Sequence, residues 1–414
     1  MPRYNGDPNI RRHEVPPAIP PLRVSAYTAT CATGAGRRSL AEALAQRRSG
    51  LRPNDFSHQP LDTWIGRVDG LEDAPLPVAL AEWECRNNRL AWLGLQQDGF
   101  LDAVRAARER HGAGRVALLL GTSTSSIGAS EEAYRALEPD GSYPPALRRP
   151  IVHTPHSLGD FVQHALGLEG PCITVATACS SSAKVFAQAE RMIRAGIVDA
   201  AVVGGVDTLC GSVLFGFNSL ELVSPEPCRP FDPARRGISI GEAAGYALLE
   251  RGNGAANGPW LLGYGESSDA HHMSSPHPDG LGARLAIEGA LARASLEPSD
   301  IDYINLHGTA SQLNDSVEAK VVAGLFPART RASSTKGWTG HALGAAGIVE
   351  AVISLIALED GLAPGVLNAQ ALDAVCGPQI RIDNEARELR HVLSHSFGFG
   401  GNNCVLAFGR ERLQ

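Results

Sequence analysis

The sequence of 414 residues lacks several features that would assign it to a class at once. Its eight cysteines are scattered without a Cys-x-x-Cys pair, so neither a zinc site nor a disulfide scaffold is predicted. No apolar run approaches membrane-spanning length, and the N-terminus has no signal-peptide core. The net charge of −7 does not suggest general nucleic-acid binding. We therefore expect a protein of the reducing cytoplasm, without a membrane or nucleic-acid partner.

What is present is typical of a globular protein with two domains or two fused halves. The chain is 43% hydrophobic and 20% charged, and it is too long for one ordinary core. Helix and strand patterns alternate throughout, which predicts an α/β class. Residues 1–22 are rich in proline and are predicted to be a flexible extension. The glycine- and asparagine-rich stretch 253–259 is the predicted linker between two halves, 23–252 and 260–410.

Individual patterns predict elements within these halves. Residues 39–48 read as a helix capped by Ser39, with Glu42 at the capping-box position. Residues 157–166 read as a helix, and 116–120 as a buried strand. Residues 380–382 also read as a strand.

The most informative stretch is 175–183, Val-Ala-Thr-Ala-Cys-Ser-Ser-Ser-Ala. A strand pattern leads into it and a helical pattern follows, which predicts a tight turn carrying Cys179. Free backbone N–H groups and the positive end of the helix dipole would favour the thiolate, the nucleophilic form. Small neighbours would leave room for a substrate. A buried structural cysteine is the other interpretation.

Two histidines follow similar signals. His307 comes directly after an apolar strand pattern and before Gly308, and active-site groups collect at strand ends of α/β sheets. His341 lies five residues after Lys336, in a segment that runs into an apolar helix. Glu350 on that helix could pair with Lys336.

A fourth stretch, Gly398-Phe399-Gly400-Gly401, is a glycine-rich turn. A phosphate-binding loop would continue into Lys-Ser/Thr and a helix, whereas a strand pattern follows here. An oxyanion site or a pocket-lining loop is therefore favoured, because such turns expose backbone N–H groups.

A cysteine and two histidines on separate strand ends leave three chemistries open. One is a thiol hydrolase in which a histidine is the base. Another is a metal site, although zinc sites usually show a short ligand spacing. The third is acyl transfer onto the thiol, with the histidines stabilising negative charge on a thioester oxygen. The residues alone do not choose among them.

In order from about residue 22 to 409, these stretches resemble the β-ketoacyl-acyl-carrier-protein synthases, most closely the type II elongating kind. The matching motifs are Thr177-Ala178-Cys179-Ser180, Arg229-Pro230-Phe231-Asp232, Gly241-Glu242, His307-Gly308-Thr309, Lys336 with Gly340-His341, Gly344-Ala345-Ala346-Gly347 and Gly398-Phe399-Gly400-Gly401. The resemblance implies the thiolase fold. Two duplicated halves then each supply a mixed five-stranded sheet, in an α-β-α-β-α five-layer arrangement.

The resemblance also implies a role for each of the main site residues. Cys179 is the nucleophile that takes an acyl chain from a carrier-protein phosphopantetheine. His307 and His341 then assist decarboxylation of malonyl-carrier protein and stabilise the enolate and thioester oxygen. Lys336 orients the site, supported by Glu350. Two imidazoles, rather than histidine plus asparagine, place the chain with elongating enzymes and not with priming synthases.

Further roles follow from the same resemblance. Backbone N–H groups of Cys179 and Phe399 would form the oxyanion hole, and Phe399 would be the gate to the acyl pocket. The substrate-binding residues would be Thr309, Ser311, His272, Ser274 and Gly400. The usual Gly-Thr-Gly-Thr reads Gly308-Thr309-Ala310-Ser311 here, so the local turn is expected to differ. Arg86 and Arg89 are candidates for docking the acidic carrier protein.

The predicted function is decarboxylative condensation of an enzyme-bound acyl thioester with malonyl-acyl carrier protein, in fatty-acid or polyketide (including aryl polyene) synthesis. Loss of CO₂ drives carbon–carbon bond formation, so no metal or redox cofactor is expected. The predicted partners are the carrier protein and a second subunit, either identical or chain-length-factor-like. Two alternatives remain at this point: a structural chain-length-factor-like subunit and a thiol-dependent thioester hydrolase.

Overall fold

The computed structural model describes residues 16–252 and 258–411. Most of the predicted extension, residues 1–15, and most of the predicted linker, residues 253–257, lie outside the described residues. Within the described part of the extension, the Ile19 N–H donates to the Arg293 carbonyl at 3.0 Å, and Leu22 begins the first strand.

The first half alternates strands and helices as its sequence predicts. Its strands are β1 (Leu22–Cys31), β2 (Gly34–Ala35), β3 (Arg52–Pro53), β4 (Trp64–Gly66), β5 (Val116–Gly121), β6 (Cys172–Val175), β7 (Ala200–Asp207), β8 (Ile240–Gly241) and β9 (Ala243–Arg251). Its helices are α1 (Gly36–Ala45), α2 (Arg86–Leu95), α3 (Phe100–His111), α4 (Ile127–Arg135), α5 (Ser157–Leu166), α6 (Ser181–Arg194) and α7 (Gly211–Ser219).

The second half is built in the same way. Its strands are β10 (Trp260–Ser268), β11 (Tyr303–Asn305), β12 (Arg331–Ser333), β13 (Leu362–Ala363), β14 (Glu385–Ala386), β15 (His391–Gly398) and β16 (Asn402–Gly409). Its helices are α8 (Leu281–Ala294), α9 (Gln312–Leu325), α10 (Lys336–Thr339) and α11 (Ala346–Asp360).

Sheet topology shows that the two halves are duplicates. The strand order is β6-β5-β7-β9-β1 in the first half and β12-β11-β15-β16-β10 in the second. In each half the first three strands of this order are parallel and the last two are antiparallel to their neighbours. If the five strands of each sheet are numbered in chain order, both sheets have the spatial order third, second, fourth, fifth, first. A short antiparallel pairing of β1 with β10 joins the two sheets.

Helices cover both sheets and also separate them, which confirms the predicted five-layer arrangement. The outer helices α2, α3 and α5 pack on one sheet, and α8 and α9 pack on the other. Helices α6 and α11 lie between the sheets, in the largest core. Thirteen of the fifteen residues of α11 are buried, because a helix that is apolar on nearly all sides must be enclosed.

Two sequence predictions are wrong in detail. Helix α1 begins at Gly36, so Ser39 is not its cap, and the Asp98 carboxylate accepts the Arg37 N–H at 2.8 Å in the first turn. Residues 380–382 do not form a strand, since only Ile380 makes a bridge, to Ala332. Among the described residues, no helix has the length and apolar character needed to cross a membrane.

Candidate active site

Cys179 lies in the turn between β6 and α6, as predicted. Ala178, directly before it, has φ 52°, a left-handed conformation that non-glycine residues seldom adopt. Hydroxyls hold the turn: Ser181 Oγ donates to the Ala178 carbonyl at 2.6 Å, and Ser180 Oγ donates to the Thr177 carbonyl at 2.9 Å. This geometry places the cysteine side chain at the edge of the sheet where the other site residues collect.

The small residues after Cys179 serve packing more than substrate access. Ser182 is fully buried, and a Cβ added at Gly121 would lie 2.3 Å from its backbone nitrogen. A Cβ at Gly347 would likewise lie 2.7 Å from the nitrogen of Ala183. The first turn of α6 can approach β5 and α11 this closely only because these side chains are small or missing.

His341 faces Cys179. Its Nε2 lies 3.1 Å from Cys179 Sγ, and its Nδ1 accepts the backbone N–H of Leu343 at 3.2 Å. Because Nδ1 accepts a hydrogen bond, the proton of the neutral ring resides on Nε2. His341 therefore presents an N–H donor to the sulfur, and it is not set up to accept the thiol proton.

His307 lies at the end of β11, with its ring 5.4 Å from that of His341 and nearly perpendicular to it at 85°. The Lys336 ammonium lies 3.4 Å from His307 Nδ1 and donates to the His307 carbonyl at 2.5 Å. A lysine ammonium has only donors, so Nδ1 of His307 also acts as an acceptor and its proton resides on Nε2. Both imidazoles thus offer Nε2–H groups.

Lys336 is supported by Glu350, as the sequence suggests. The Lys336 ammonium donates to a carboxylate oxygen of Glu350 on α11, and their side chains are only 1% and 4% exposed. Burial raises the pKa of Glu350 to about 7, while the positive charge of Lys336 opposes this rise. The charged pair lies beneath the histidines and does not line the substrate cavity.

Cys179 and the two histidines are themselves neutral at rest. Burial, followed by the charge of Lys336, lowers the pKa values of His307 and His341 well below 6.5. Burial raises the pKa of Cys179 from 9.0 to about 11, although Lys336 and the backbone N–H groups of Phe399 and Cys179 lower it. The backbone N–H groups therefore favour the thiolate, as expected, but desolvation outweighs them and the resting side chain is a thiol.

The same three groups have the spacing of a metal site. The ligand atoms of Cys179, His307 and His341 all lie within 4.8 Å of one another. A metal ion would need the lone pairs of the imidazole nitrogens that face the cavity. Those nitrogens carry the protons, because Leu343 N–H and Lys336 occupy the two Nδ1 positions. The donor arrangement thus fits an anionic oxygen better than a cation.

A cavity of about 500 Å³ opens above the three residues. Of the other residues that the resemblance implies, its lining includes Phe399, Thr309, Ser311 and Ser274. Opposite Phe399 stands the ring of Phe217, 5.7 Å away. Gly398 closes against the nucleophile turn, since an added Cβ would lie 3.2 Å from the Cys179 nitrogen.

Two of the expected substrate-binding residues do not line the cavity. His272 is exposed, and its Nδ1 accepts the Ser274 N–H at 3.2 Å. Gly400 donates its N–H to the Met273 carbonyl at 2.6 Å, which ties the glycine-rich turn to the loop that carries Ser274. Arg86 is also not a free docking group, because it pairs with the buried Glu242 at 2.6 Å.

Two buried carboxylates that support the site have no recognisable local sequence signal. Asp207 accepts hydrogen bonds from the turn after β5, including the Thr124 N–H at 2.7 Å, and from the Ala345 N–H at 3.2 Å. It thereby joins the two halves. Glu318 on α9 accepts the backbone N–H groups of His307 at 2.9 Å and Gly308 at 2.8 Å.

Ala310 occupies the position that departs from the family motif. It is fully buried and has φ 68°, a conformation that suits glycine. The turn therefore keeps a glycine-like shape despite the alanine. Thr309 Oγ1 and Ser311 Oγ remain 2.9 Å apart beside the cavity.

Comparison with known proteins adds independent information. The family model for the N-terminal domain of beta-ketoacyl synthase matches residues 23–255, and that for the C-terminal domain matches residues 260–370. The mitochondrial 3-oxoacyl-[acyl-carrier-protein] synthase of Arabidopsis thaliana is 38% identical over 262 residues, which cover 58% of this chain and 57% of that protein. The chain thus spans little more than half of that relative.

Two further similarities cover more of the chain. Nodulation protein E of Rhizobium meliloti (strain 1021) is 33% identical over 305 residues, or 71% of this chain and 75% of that protein. A chain in the solved complex of the ketosynthase ApeO with its chain length factor ApeC, from Xenorhabdus doucetiae, has 36% identity and a TM-score of 0.86 over 94% of this chain and 98% of that one. This chain belongs to the β-ketoacyl synthase family.

Proposed function

We propose that this protein is an elongating β-ketoacyl-acyl-carrier-protein synthase that condenses an acyl group on Cys179 with a malonyl group delivered by acyl carrier protein. The observation that carries the proposal is the pair of neutral imidazoles whose Nε2–H groups face Cys179 and the cavity. Two such donors match the needs of an enolate oxygen. They do not provide the base that a thiol hydrolase requires.

In the first half-reaction, Cys179 Sγ attacks the thioester carbonyl of the acyl-carrier protein. The thiol proton passes to the leaving pantetheine thiolate, so charge is conserved. The tetrahedral oxyanion accepts hydrogen bonds from the backbone N–H groups of Cys179 and Phe399. Each donor of this kind stabilises the transition state by about 2.7–4 kcal/mol.

In the second half-reaction, the carbonyl oxygen of the malonyl thioester lies between the Nε2–H groups of His307 and His341. Loss of CO₂ leaves an enolate whose negative oxygen is held by these two donors. The enolate carbon attacks the acyl carbonyl on Cys179, and the C–S bond to Cys179 breaks to give the β-ketoacyl carrier and a Cys179 thiolate. The thiolate then takes up one proton from solvent to restore the thiol. In this step charge develops on the malonyl thioester oxygen, where the two imidazole donors are already oriented.

The cavity would hold the pantetheine arm and the acyl chain. Thr309, Ser311 and Ser274 supply hydroxyls along its wall, which suit the amides of the arm. Phe399, facing Phe217, is the proposed gate to the acyl pocket. We do not assign the exposed His272 a contact with the arm. Gly400 contributes by fixing the loop and not by binding substrate.

The carrier protein and a second subunit are the proposed partners, and the cytoplasm is the proposed location. The complex of ApeO with its chain length factor favours a heterodimer with a chain-length-factor-like chain. Strand β6, just before Cys179, is the last strand of its sheet, which leaves one edge open for a partner. The reactive set Cys179, His307 and His341 supports assigning this chain to the active subunit.

The test is intact-protein mass after incubation with acyl-carrier proteins of different chain length. The wild type should gain an acyl mass and Cys179→Ala should not. Cys376→Ala is the matched control, because burial raises the pKa of Cys376 to about 11 as well, and it should still be acylated. Adding malonyl-carrier protein should then yield the β-ketoacyl product.

Each alternative gives a different result in the same assay. Thioester turnover without a malonyl donor would indicate a hydrolase. Acylation that occurs only after a second, similar chain is added would identify the active half of a heterodimer. No adduct under either condition would refute the assignment.

A further inference from the structure

Glu318 organises the turn that carries His307. One carboxylate oxygen, Oε1, accepts the His307 N–H at 2.9 Å, and the other, Oε2, accepts the Gly308 N–H at 2.8 Å. The Glu318 residue is only 2% exposed. The direction of the His307 ring therefore depends on where this carboxylate is held.

A second buried histidine holds it. His395 on β15 has no exposed surface, and its Nδ1 lies 3.0 Å from Glu318 Oε1. A carboxylate oxygen only accepts hydrogen bonds, so the proton of His395 resides on Nδ1. Its Nε2 has no hydrogen-bond partner among the described residues.

The placement of His395 follows from the sheet. Strands β11 and β15 are parallel neighbours, with Asn305 paired to Ser394, so both ends reach the same edge. His307 follows one strand end and His395 belongs to the other. Phe397 packs on both rings, with centroids 5.2 Å from His395 and 6.0 Å from His307.

We propose that His395 is a positioning residue for the decarboxylation step: it fixes Glu318, which in turn fixes the His307 turn. This inference rests on the proposed function, since it names how one of the two enolate donors is oriented. His395 touches neither the cavity nor Cys179, so it acts only through Glu318 and Phe397. It should therefore affect decarboxylation and condensation more than acylation of the thiol.

The experiment compares variants that keep or remove the Nδ1–H donor. In His395→Asn, the side-chain amide nitrogen takes the place of Nδ1, whereas in His395→Gln it takes the place of Nε2. His395→Leu has no donor. Ser394→Ala is the matched control, because this neighbouring buried hydroxyl has no partner among the described residues. Acylation is read by intact mass, and decarboxylation by CO₂ release from malonyl-carrier protein.

We expect decarboxylation to fall about 10–100-fold in His395→Leu and His395→Gln, as for a modest misplacement of a reacting group, with acylation within about threefold of wild type. His395→Asn should restore most of the rate, and Ser394→Ala should match wild type. Equal rates for the Asn and Gln variants would overturn the inference, and this comparison stands even if His395→Leu does not fold.

A spectroscopic measurement tests this inference separately from the proposed function. Protein labelled with ¹⁵N-histidine should show His307 as the Nε2–H tautomer in the wild type and in His395→Asn, with that signal shifted or exchange-broadened in His395→Gln. An unchanged His307 signal in His395→Gln would refute the positioning role. A wild type that neither acylates nor decarboxylates would refute the proposed function while the His307 signals still decide the role of His395.

Discussion

The buried pair of Lys336 and Glu350 should support stability and catalysis through different contacts, and substitutions can separate them. Lys336→Met removes the partner of the Glu350 carboxyl, whose side chain is 4% exposed, so this group must either stay charged without a partner or take up a proton. Removing one partner of a buried ion pair costs about 3–5 kcal/mol. We expect the free energy of unfolding in urea to fall by that amount.

The double variant Lys336→Met/Glu350→Leu also removes the Glu350 carboxyl that the single variant leaves without a partner. Replacing a buried pair by apolar residues is often neutral, so most of the stability should return. The His307 carbonyl still loses the donor that lies 2.5 Å away, which leaves a deficit of about 1–3 kcal/mol.

Activity should not return with stability in the double variant. His307 Nδ1 no longer faces the ammonium, so nothing keeps its proton on Nε2. Losing one oriented donor to a developing oxyanion costs about 10²–10³-fold in rate. Condensation should therefore fall by that factor in both the single and the double variant, while acylation of Cys179 is affected less.

The measurements are urea unfolding, acylation by mass and condensation with malonyl-carrier protein. Lys184→Met is the matched control, since Lys184 donates to the amide oxygen of Asn402 at 3.2 Å and is not part of a buried ion pair. Near-wild-type condensation by the double variant would refute the tautomer argument. A loss below about 1 kcal/mol in Lys336→Met would refute the energetic one.

Three further predictions concern single positions. The rate of alkylation of Cys179 by iodoacetamide should rise about tenfold per pH unit as the pH approaches the pKa of Cys179, about 11, because only the thiolate reacts. A rate that becomes constant below pH 9 would contradict this prediction. Asp207→Asn should lower the free energy of urea unfolding by about 1.5–3 kcal/mol by removing a charged acceptor, whereas the exposed, paired Asp199→Asn should lose at most about 1 kcal/mol. Ala310→Gly should stay within about 1 kcal/mol of wild type, and Ala310→Val, β-branched at positive φ, should unfold at clearly lower urea.

Periodicity was sufficient to predict the elements that carry the site. Helix α5 begins at Ser157 and ends at Leu166, as predicted, and β5 is buried throughout, as a continuous apolar run between parallel neighbours should be. Cys179, His307 and His341 each follow such a signal, and the structure brings them together as the motif resemblance implies.

Contacts between distant residues could not be predicted in the same way. A carboxylate such as Asp207 or Glu318 has the same local sequence appearance whether it is exposed or buried, and only the fold supplies its donors. The start of α1 was misplaced for this reason, because its acceptor, Asp98, lies far along the chain. The histidine tautomers likewise depend on Leu343 N–H, which the motif does not reveal.

The raised pKa of the nucleophile is compatible with fast acyl transfer once the donors are counted. A shift from 9.0 to about 11 makes ionisation of Cys179 cost about 3 kcal/mol more. Burial that causes this cost also strengthens every hydrogen bond to an anion inside the cavity. Two oxyanion donors at about 2.7–4 kcal/mol each exceed the penalty. Desolvation therefore disfavours negative charge on the resting sulfur. The oriented N–H groups favour negative charge on the thioester oxygen, where the proposed reaction places it.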